Sequence, residues 1–569
     1  MVMMRSKRVY IIFAAVVLLF VAPLTAQAQT LRRDSSDFEL GRSIELLANI
    51  MREFDTGYVQ QVSPDDLLAA AVRGITKITD PYSQYLSEQD MVAFDIMSTG
   101  EYGGVGSAIR KQGDYVIFAE PYKGSPADEA GIKPGDKILS INGKSMKGVD
   151  IDTISTNLKG DPDTKVEVTV ERFYGSAVDT IAITRRRISI PSVTYSGILR
   201  DGVGYISHSD FIRGSYDEIR RALEALIANA QDEGGLKGLV LDYRSNGGGI
   251  MREAVDIVSL FIDRGERVVS IMGRDSSSLR EFRTQHAPLA KELPIVVLVN
   301  GKTASASEIL AGSLQDLDRA VVMGQRTYGK GLVQSTQYLG YNTYLKYTTE
   351  KYYIPSGRCI QAHDYTSRAS DGSIASVPDS LIREFATRSG RKIYDGGGIV
   401  PDVKLEPQYI SNFAVMIYAK GYINDWVDEY MREHHEDKID VRNFTLTEED
   451  YANFVDFIAD KEVDYESESR RALKALERAL ESDLYDEALR DEVKRFGELI
   501  KDDKLSNMQT YRKEIEDLLV MEIITRFAYN EGFVENRAYN DIDVNKAIDL
   551  ILNTEEYNRI LREQDLSMH

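Results

Sequence analysis

A serine and a lysine 25 residues apart carry the chemistry that this sequence suggests most directly. Ser305 lies in "VNGKTASASEILAGSLQD", where an apolar run passes through small residues into a helical pattern. A hydroxyl at such a junction would lie beside the free amides of a helix N-terminus, which favour a developing negative charge. Ser305-x-x-Glu308 is also a capping box, and the local sequence favours capping at least as much as nucleophilic attack.

A nucleophilic serine needs a base, and histidine is the usual one. No histidine of this sequence lies in a recognisable triad context: the six are His208, His286, His363, His434, His435 and His569. Lys330, in the Gly-flanked "GQRTYGKG", is the alternative base. A free lysine has a pKa of about 10.4, so the site would have to favour its neutral form by desolvation.

The segment around Lys330 also approaches a phosphate-binding loop, which reads G-x-x-x-x-G-K-[ST]. Gly324, Gly329 and Lys330 fit that pattern, but Gly331 stands where the magnesium-ligating hydroxyl must be. A nucleotide-binding role is therefore disfavoured. We expect no metal ion and no other cofactor.

Composition limits the classes of function. The 569 residues are 43% hydrophobic and 28% charged, as in ordinary globular proteins, and the length predicts roughly three or four domains. The net charge of -21 argues against nucleic acids and anionic membrane surfaces as partners. Cys359 is the only cysteine, so no intrachain disulfide can form.

Residues 1–28 have the layout of a secretory signal. Arg5, Lys7 and Arg8 precede an apolar run, and the small-residue segment "AQA" ends at Ala28. Cleavage after Ala28 is favoured over a retained anchor, because the apolar run is short for a spanning helix. We expect an exported, periplasmic protein that is anchored to the inner membrane only if this segment is retained.

Periodicity divides the rest of the chain into four regions. Apolar spacing predicts helices over residues 31–98 and 411–569, short strands and Gly-rich turns over 99–187, and alternating strands and helices over 188–405. The sequence therefore predicts a multidomain α+β protein with an α/β core between a helical N-terminal region and a mostly helical C-terminal region.

The region over residues 99–187 contains "GSPADEAGIKPGDKILSINGKSM", which resembles a PDZ domain of the bacterial protease-associated kind. The resemblance implies a sheet edge that accepts a peptide as an added strand and a Gly-rich loop whose amides hold a terminal carboxylate. Gly103, Gly104, Val105 and Gly106 match that loop. A tight turn that needs glycine is the alternative reason for these residues, and the adjacent PDZ pattern favours the carboxylate role.

The region over residues 188–405 resembles the C-terminal processing peptidases, also called tail-specific proteases, of serine peptidase family S41. The motifs that carry the resemblance are "LDYRSNGGGIMREAVDIV", "VNGKTASASEILAGSLQD", "GQRTYGKGLVQ" and "YTTEKYYIPSGR". The resemblance covers the chain from about residue 40 to about residue 405. It implies a PDZ domain beside an α/β protease core with a Ser-Lys dyad.

The family pattern implies a role for each matching residue. Ser305 would be the nucleophile, Lys330 the general base and Gln334 the residue that orients the lysine. The oxyanion hole would use the backbone amides of Ala306 and of the glycine turn, with Gly248 or Gly249 the favoured donor.

Two further positions match the family and two features depart from it. Glu308 and Asp316 stand at recurrent positions, where we expect structural or capping roles. Many members have Pro where Gly247 stands, and about 35 residues separate "SGRCIQ" from "GGGIVPD", a segment that is often shorter in the family. Neither departure affects the proposed dyad.

The sequence therefore predicts a secreted serine endopeptidase that captures the C-terminal tails of proteins and cuts them. The alternative is a periplasmic scaffold or adaptor that keeps the PDZ domain and an inactive protease-like domain, which should show a broken dyad. Expected partners are proteins or peptides with accessible C-termini, and the sequence leaves a homo-oligomer open. The motifs assign no role to residues 411–569.

Overall fold

The computed structural model describes residues 37–175, 177–368, 374–377, 379–500 and 503–562. The chain divides into two units, Met1–Tyr85 and Leu86–His569. The predicted signal segment lies outside the described residues. None of the described helices is both long enough and apolar enough to cross a membrane.

The first unit contains helices, as the apolar spacing predicts. Helix α1 covers residues 37–57, and α2 covers Pro64–Lys77. The hydroxyl of Ser63 caps α2 by accepting a hydrogen bond from the Asp65 amide at 3.2 Å. The short strand β1, Gln84–Leu86, lies at the boundary of the two units.

The second unit begins with helix α3, Glu88–Thr99, and a six-stranded antiparallel sheet follows. Its strands run in the order β3-β4-β5-β7-β8, with β6 paired to β5. These strands are β3 Ser107–Gln112, β4 Tyr115–Pro121, β5 Lys137–Ile141, β6 Lys144–Ser145, β7 Lys165–Glu171 and β8 Val178–Thr184. The accompanying elements are β2 Glu101–Gly104, α4 Pro126–Glu129, α5 Ile151–Leu158 and β9 Arg186–Ser189. Strand β3 is an edge strand of this sheet.

A second six-stranded sheet forms the centre of the molecule, and it is parallel except for its first pair. Its strands, in spatial order, are β10 Val193–Ile198, β11 Val203–His208, β12 Gly238–Asp242, β15 Ile295–Val299, β16 Val321–Gly324 and β23 Val403–Lys404. The helices of this region are α6 Ser215–Asn229, α7 Met251–Val258 and α8 Ala306–Asp316. Strands β12 and β15 are buried along their whole length, as apolar parallel strands are when both faces of a sheet are covered.

An antiparallel sheet adjoins this core. It contains β13 Arg267–Met272, β14 Arg280–Arg283, β17 Leu332–Gly340 and β18 Thr343–Tyr353. Strands β17 and β18 form a long hairpin whose turn residues, Tyr341 and Asn342, both have positive φ angles, as a two-residue type I′ turn requires. Two small antiparallel pairs follow, β19 His363–Arg368 with β20 Ile374–Ser376 and β21 Glu384–Ala386 with β22 Lys392–Tyr394.

The C-terminal region is helical, as predicted. Its helices are α9 Asn412–Ala419, α10 Tyr422–His434, α11 Glu448–Ala459, α12 Glu468–Ser482, α13 Glu487–Leu499, α14 Lys504–Thr510, α15 Arg512–Asn540, α16 Ile542–Leu552 and α17 Thr554–Arg562. Helix α15 is broken at Ala528 and Tyr529, where the backbone leaves the helical region.

The last helices form one layer of the α/β core. On one face of the central sheet, the side chains of β12 and β15 pack against α6, α7 and α8. On the other face, Val240 and Leu298 pack in a cluster with Val544 and Ile548 of α16 and Tyr557 of α17. The chain therefore needs its C-terminal segment to cover the sheet that carries the candidate site.

The same C-terminal region also holds the six-stranded antiparallel sheet. Arg110 of the edge strand β3 forms a salt bridge of 2.7 Å with Glu522 of α15, and its guanidinium also donates to Tyr418 and Asn424. Glu522 is nearly buried, and the Arg110 and Arg526 guanidiniums hold the pKa of its carboxyl at about 2 although burial opposes this. One desolvated ion network thus joins the two domains.

Asp316, at the end of α8, has the structural role that the sequence indicates. Its carboxylate forms a salt bridge of 2.9 Å with Arg358, and both side chains are buried. The second carboxylate oxygen accepts a hydrogen bond from the Ser356 amide at 2.9 Å. The pair fixes the segment after β18 to the helix that follows the candidate nucleophile.

We expect Asp316→Ala to reduce the free energy of unfolding by about 3–5 kcal/mol, because it leaves the buried Arg358 guanidinium without a counter-charge. The matched control is Asp517→Ala, which breaks an exposed pair with Lys513 and should cost less than about 1 kcal/mol. Urea denaturation followed by circular dichroism measures both values. Equal losses for the two variants would contradict this role of Asp316.

Candidate active site

Ser305 lies at the junction between the buried strand β15 and the buried helix α8. Its backbone has φ 59° and ψ -117°, a conformation that non-glycine residues rarely adopt. Such strain persists only where the surroundings impose it, and it is concentrated at functional sites. The Ser305 side chain is half-buried, and the neighbouring Ala306 amide, the first of the helix, has no acceptor within the helix.

The carboxylate of Glu308 joins the serine segment to the lysine segment. Its Oε2 accepts hydrogen bonds from the amides of Ser305 at 2.8 Å and of Lys330 at 2.9 Å. Its Oε1 accepts bonds from the Gly329 amide at 2.7 Å and from the Thr327 hydroxyl at 2.5 Å. The predicted bond of the capping box, from the Ser305 amide to Glu308, is therefore present, but the same carboxylate also holds the turn that carries Lys330.

Burial and hydrogen bonding shift the pKa of the Glu308 carboxyl in opposite directions. The side chain is completely buried, and this desolvation raises the pKa of its carboxyl to about 7. The four donors favour the ionised form and lower the pKa, but they do not cancel the effect of burial. The carboxyl group at the centre of the site therefore titrates close to neutral pH.

Tyr352 forms a second connection between the two segments. Its hydroxyl lies 3.2 Å from the Ser305 carbonyl oxygen and within hydrogen-bond distance of the Lys330 carbonyl oxygen. Its amide donates to the Gly331 carbonyl at 3.1 Å. Tyr352 lies within the motif "YTTEKYYIPSGR", but its role could not be predicted from the sequence, because nothing in the local pattern indicates where its hydroxyl lies.

The glycine turn after β12 approaches the nucleophile closely. A Cβ atom added to Gly248 would lie 2.7 Å from the Ser305 Cβ and 2.8 Å from the Ala306 nitrogen, so only glycine fits there. The Gly248 amide, however, donates to Asn246 Oδ1 at 2.9 Å. Gly249 is exposed and its backbone lies against the Phe211 carbonyl. The structure thus brings the turn to Ser305, and its role as an oxyanion donor stays a prediction.

Asn246 organises this turn and was missed by the sequence reasoning. Its Oδ1 also accepts a hydrogen bond from the Ser307 hydroxyl at 2.8 Å, and its Nδ2 donates to the His208 carbonyl at 2.9 Å. The two hydroxyls nearest Ser305 in sequence are therefore occupied: Ser307 is buried against Asn246, and Thr303 is buried with its hydroxyl donating to the Tyr243 carbonyl at 2.9 Å. Ser305 is the least buried hydroxyl of the three.

Lys330 lies two residues before β17, and Gln334 lies near the start of that strand. Both side chains are half-buried. The Gln334 amide group donates to the Thr348 hydroxyl on β18 at 3.2 Å. The predicted role of Gln334 in orienting Lys330 stays a prediction.

The described histidines occupy structural positions. His208 is buried, its ring packs against the rings of Phe211 and Tyr243, and burial lowers the pKa of its imidazole to about 3. His286 stacks on Tyr216, and His363 lies edge-on to Tyr328. His434 is the last residue of α10, His435 follows it, and His569 lies outside the described residues.

The predicted carboxylate loop differs in part from the expectation. Gly103 and Gly104 lie in strand β2 and pair with Arg187 and Arg186 of β9, so only Val105 and Gly106 form the connection to β3. Paired amides of a strand are less available to a ligand than those of a loop. The carboxylate role of the four residues stays a prediction.

Only glycine fits at position 106, because of its backbone conformation and the lack of room for a side chain. Its φ angle is 81°, and an added Cβ would lie 2.4 Å from the Ser125 Cβ. The Val105 carbonyl accepts a bond from the Ala127 amide at 2.8 Å. Beside this turn, the edge strand β3 and helix α5 border a shallow groove, which is lined by Tyr102, Val105, Ile109, Leu158 and Lys159 among other residues.

No group of three or more histidine, cysteine, aspartate or glutamate side chains within the described ranges is arranged to hold a metal ion. The candidate site therefore consists of one strained serine, a lysine on an adjacent turn, and the buried groups that fix both backbones.

Comparison with known proteins identifies the parts of the chain. Residues 202–369 match peptidase family S41, residues 117–172 match the PDZ domain, and residues 413–551 match a family described as the C-terminal helical domain of probable PDZ-proteases. Over residues 202–369, the α/β core is therefore similar to peptidase family S41. The S41 match includes Ser305, Lys330, Gln334 and the glycine turn, and the PDZ and helical matches confirm the predicted fold class.

Related sequences agree with this assignment. The chain is 36% identical over 322 residues to a probable CtpA-like serine protease of Staphylococcus aureus strain MRSA252, and 32% identical over 341 residues to one of Staphylococcus saprophyticus. These matches cover 56% and 60% of this chain, and 62% and 65% of the length of the relatives. The chain thus matches less than two thirds of either relative.

Two of the similar solved structures are proteases by their titles. One is the photosystem II D1 C-terminal processing protease, with 27% identity, 63% of this chain and 87% of that chain covered, and a TM-score of 0.35. Another is a putative S41 protease from Bacteroides fragilis, with 16% identity, 63% and 90% coverage, and a TM-score of 0.35.

The titration of Glu308 should be measurable as a pH dependence of the stability of this chain. Burial raises the folded-state pKa to about 7, whereas an unfolded glutamate has a pKa of about 4.3. The folded state therefore binds the proton more tightly, and the stabilisation by protonated Glu308 is complete below the unfolded value and is lost as the pH rises through 7. The difference in melting temperature between the wild type and Glu308→Gln should fall from pH 4.5 to pH 7.5.

Calorimetry at several pH values in that range measures this difference, and the exposed Glu498→Gln variant serves as the control. Its difference from the wild type should stay constant. A constant difference for Glu308→Gln as well would show that Glu308 has the same pKa in the folded and unfolded states.

Proposed function

We propose that this chain is a serine endopeptidase in which Ser305 attacks the peptide carbonyl and Lys330 is the general base. The observation that carries the proposal is the double bridge between their backbones, through the Glu308 carboxylate and the Tyr352 hydroxyl. Two segments that are 25 residues apart in sequence are thereby held together, with the half-buried serine at a helix start and in a strained conformation.

In the proposed reaction, the Lys330 amine takes the proton from the Ser305 hydroxyl as its oxygen attacks the scissile carbonyl. The Ala306 amide would donate to the oxyanion, and the Gly248 amide would join it only by leaving Asn246 Oδ1. Collapse of the tetrahedral intermediate passes the proton from Lys330 to the leaving amine. Water then attacks the acyl-enzyme as Lys330 takes its proton. Collapse of this second intermediate breaks the ester bond, returns that proton from Lys330 to the Ser305 oxygen and releases the acid product.

We further propose that the PDZ domain captures C-terminal tails. Strand β3 is the edge strand beside the groove, so a peptide can add to it as a further strand, and the turn at Val105 and Gly106 lies at the start of β3. The substrates are then proteins or peptides with accessible C-termini.

Export is part of the proposal and is supported by the N-terminal sequence alone. The charged, apolar and small-residue layout of residues 1–28 favours a periplasmic protein. Retention of this segment at the inner membrane and assembly into a homo-oligomer stay predictions of the sequence.

The dyad is tested by labelling and by replacing its members. A fluorescent acyl-phosphonate should label the wild-type chain, and Ser305→Ala should abolish both labelling and cleavage. Lys330→Arg and Lys330→Ala should both reduce kcat/KM by at least roughly 100-fold. Arginine is no substitute for the lysine because it stays protonated and cannot accept the serine proton. Lys302→Ala, at an exposed lysine near the site, is the matched control and should retain activity.

Substantial turnover by Ser305→Ala would move the nucleophile elsewhere. Activity in Lys330→Arg would remove the lysine from the role of base. A chain that is never labelled but still binds tails would instead be the scaffold or adaptor.

Tail capture is tested by removing the charge of the substrate's C-terminus. A peptide with a free C-terminal carboxylate should bind the full-length Ser305→Ala chain more tightly than the same peptide with a C-terminal amide, because the amides near Gly106 would lose a charged acceptor. Fluorescence anisotropy measures both dissociation constants, and we expect a difference of roughly tenfold. Equal affinities would contradict the carboxylate role.

A further inference from the structure

The β17–β18 hairpin extends directly from the candidate site. Strand β17 begins at Leu332, two residues after Lys330. Near the end of β18, the Tyr352 hydroxyl lies against the carbonyls of Ser305 and Lys330. One end of the hairpin therefore lies at the nucleophile, while its turn lies at the opposite end of the two strands.

The outer edge of β17 is open. Within the part of the chain that the structure describes, β17 pairs with β18 alone. Residues 335–339 are exposed one after another, which is five residues or about 17 Å of extended chain. Backbone donors and acceptors along this edge are thus presented to solvent, and such an edge is a template for another strand.

The sequence of β17 lacks two features that often protect an exposed edge, namely charged side chains and proline. Its pairing with β18 contains two irregularities, between Val333 and Gln334 and between Tyr338 and Gly340, and such bulges twist an edge locally. Leu332–Gly340 contains no charged residue and no proline, although 28% of the chain is charged. The neighbouring β18 carries several charges: Lys346, Glu350 and Lys351. The uncharged character is therefore a property of the open strand and not of the whole hairpin.

The exposed side chains of β17 are suited to an apolar or aromatic partner. Tyr338 and Leu339 are 53% and 52% exposed, and Leu339 lies at an irregularity of the β17–β18 pairing between Tyr338 and Gly340. The Tyr338 ring packs against that of Tyr344 on β18, with ring centroids 5.2 Å apart. This pair gives one face of the hairpin a fixed aromatic surface beside the open edge.

We propose that the open edge of β17 binds an extended segment of the substrate as an additional strand and so guides the chain to Ser305. The proposal rests on the proposed peptidase function. The partner is an unfolded, uncharged segment rich in β-branched or aromatic residues, about five residues long, on one side of the scissile bond. Its backbone supplies the hydrogen bonds, and its side chains contact Tyr338 and Leu339.

Continuity with the candidate site favours a substrate segment over a second copy of the chain. A strand added to β17 runs past Gln334 and reaches the segment of Lys330 without leaving the sheet. An open edge is also a template for pairing with a second copy of the chain. The experiment must therefore distinguish pairing between two copies of the chain from binding of a substrate segment.

The test compares two internally quenched peptides that share one cleavage site. The long peptide carries five additional uncharged residues such as Val, Thr and Tyr, and the short one ends before them. We expect the long peptide to have the higher kcat/KM, and we expect N-methylation of its added amides to reduce kcat/KM by roughly 2- to 10-fold at alternate positions only. Alternation is the signature of strand pairing, since every second amide of a strand faces its neighbour.

The variant Tyr338→Lys should reduce the ratio of kcat/KM between the long and the short peptide. The matched control is Tyr341→Lys in the turn, where the side chain is 99% exposed and lies beyond the strand, and it should leave the ratio unchanged. Both variants are made in the full-length chain, and circular dichroism compares their folding with that of the wild type.

Several outcomes would overturn the proposal. The first is that the two peptides have equal kcat/KM values. The second is that N-methylation lowers kcat/KM at every added position and not at alternate ones. The third is that light scattering detects a dimer, and that Tyr338→Lys dissociates this dimer without changing the ratio of kcat/KM between the long and the short peptide. If labelling of Ser305 persists in these cases, the peptidase function stands and only the role of β17 is wrong. If Ser305 is not labelled at all, the proposed function itself fails.

Discussion

A carboxylate buried in the core, that of Glu308, holds the serine segment and the lysine segment together. Burying a charged group is unfavourable unless it is fully hydrogen-bonded, and four donors from the two segments surround this one. Neither segment can move away without leaving an acceptor unsatisfied. The strained backbone of Ser305 is thus maintained by the same contacts that fix the lysine turn, and the pKa of about 7 places these contacts near a protonation change.

The surroundings of this site come from distant parts of the chain. Helices α16 and α17 cover one face of the central sheet, while α15 holds Arg110 of the PDZ domain through Glu522. The C-terminal region therefore supports the site and also fixes the strand at which a tail would be captured. Glu522 and Arg526 are buried, so removal of either partner would leave a buried charge. Arg110 links the PDZ domain to three helices of the C-terminal region, α9, α10 and α15.

Much of the fold could be predicted from local patterns. The apolar runs of β12 and β15, the amphipathic helix α6 and the helical C-terminal region all have the secondary structure that their periodicity indicates. The local pattern predicted a Gly-rich loop at Gly103 and Gly104, but both residues lie in a strand that pairs with β9. It also gave no indication of Asn246 or Tyr352, because their importance depends on which carbonyls and amides they meet across the fold.

The sequence by itself determined the residue types of the candidate site, the order of the regions and the resemblance to family S41, since these depend on spacing along the chain. Only the tertiary structure decided that Glu308 bonds to both Ser305 and Lys330, that Gly248 faces the serine while its amide is engaged by Asn246, and that the last helices belong to the core. The physical reason is that hydrogen bonds and burial depend on distances in space, and residues that are dozens or hundreds of positions apart meet only when the central sheet and the helices that cover it are assembled.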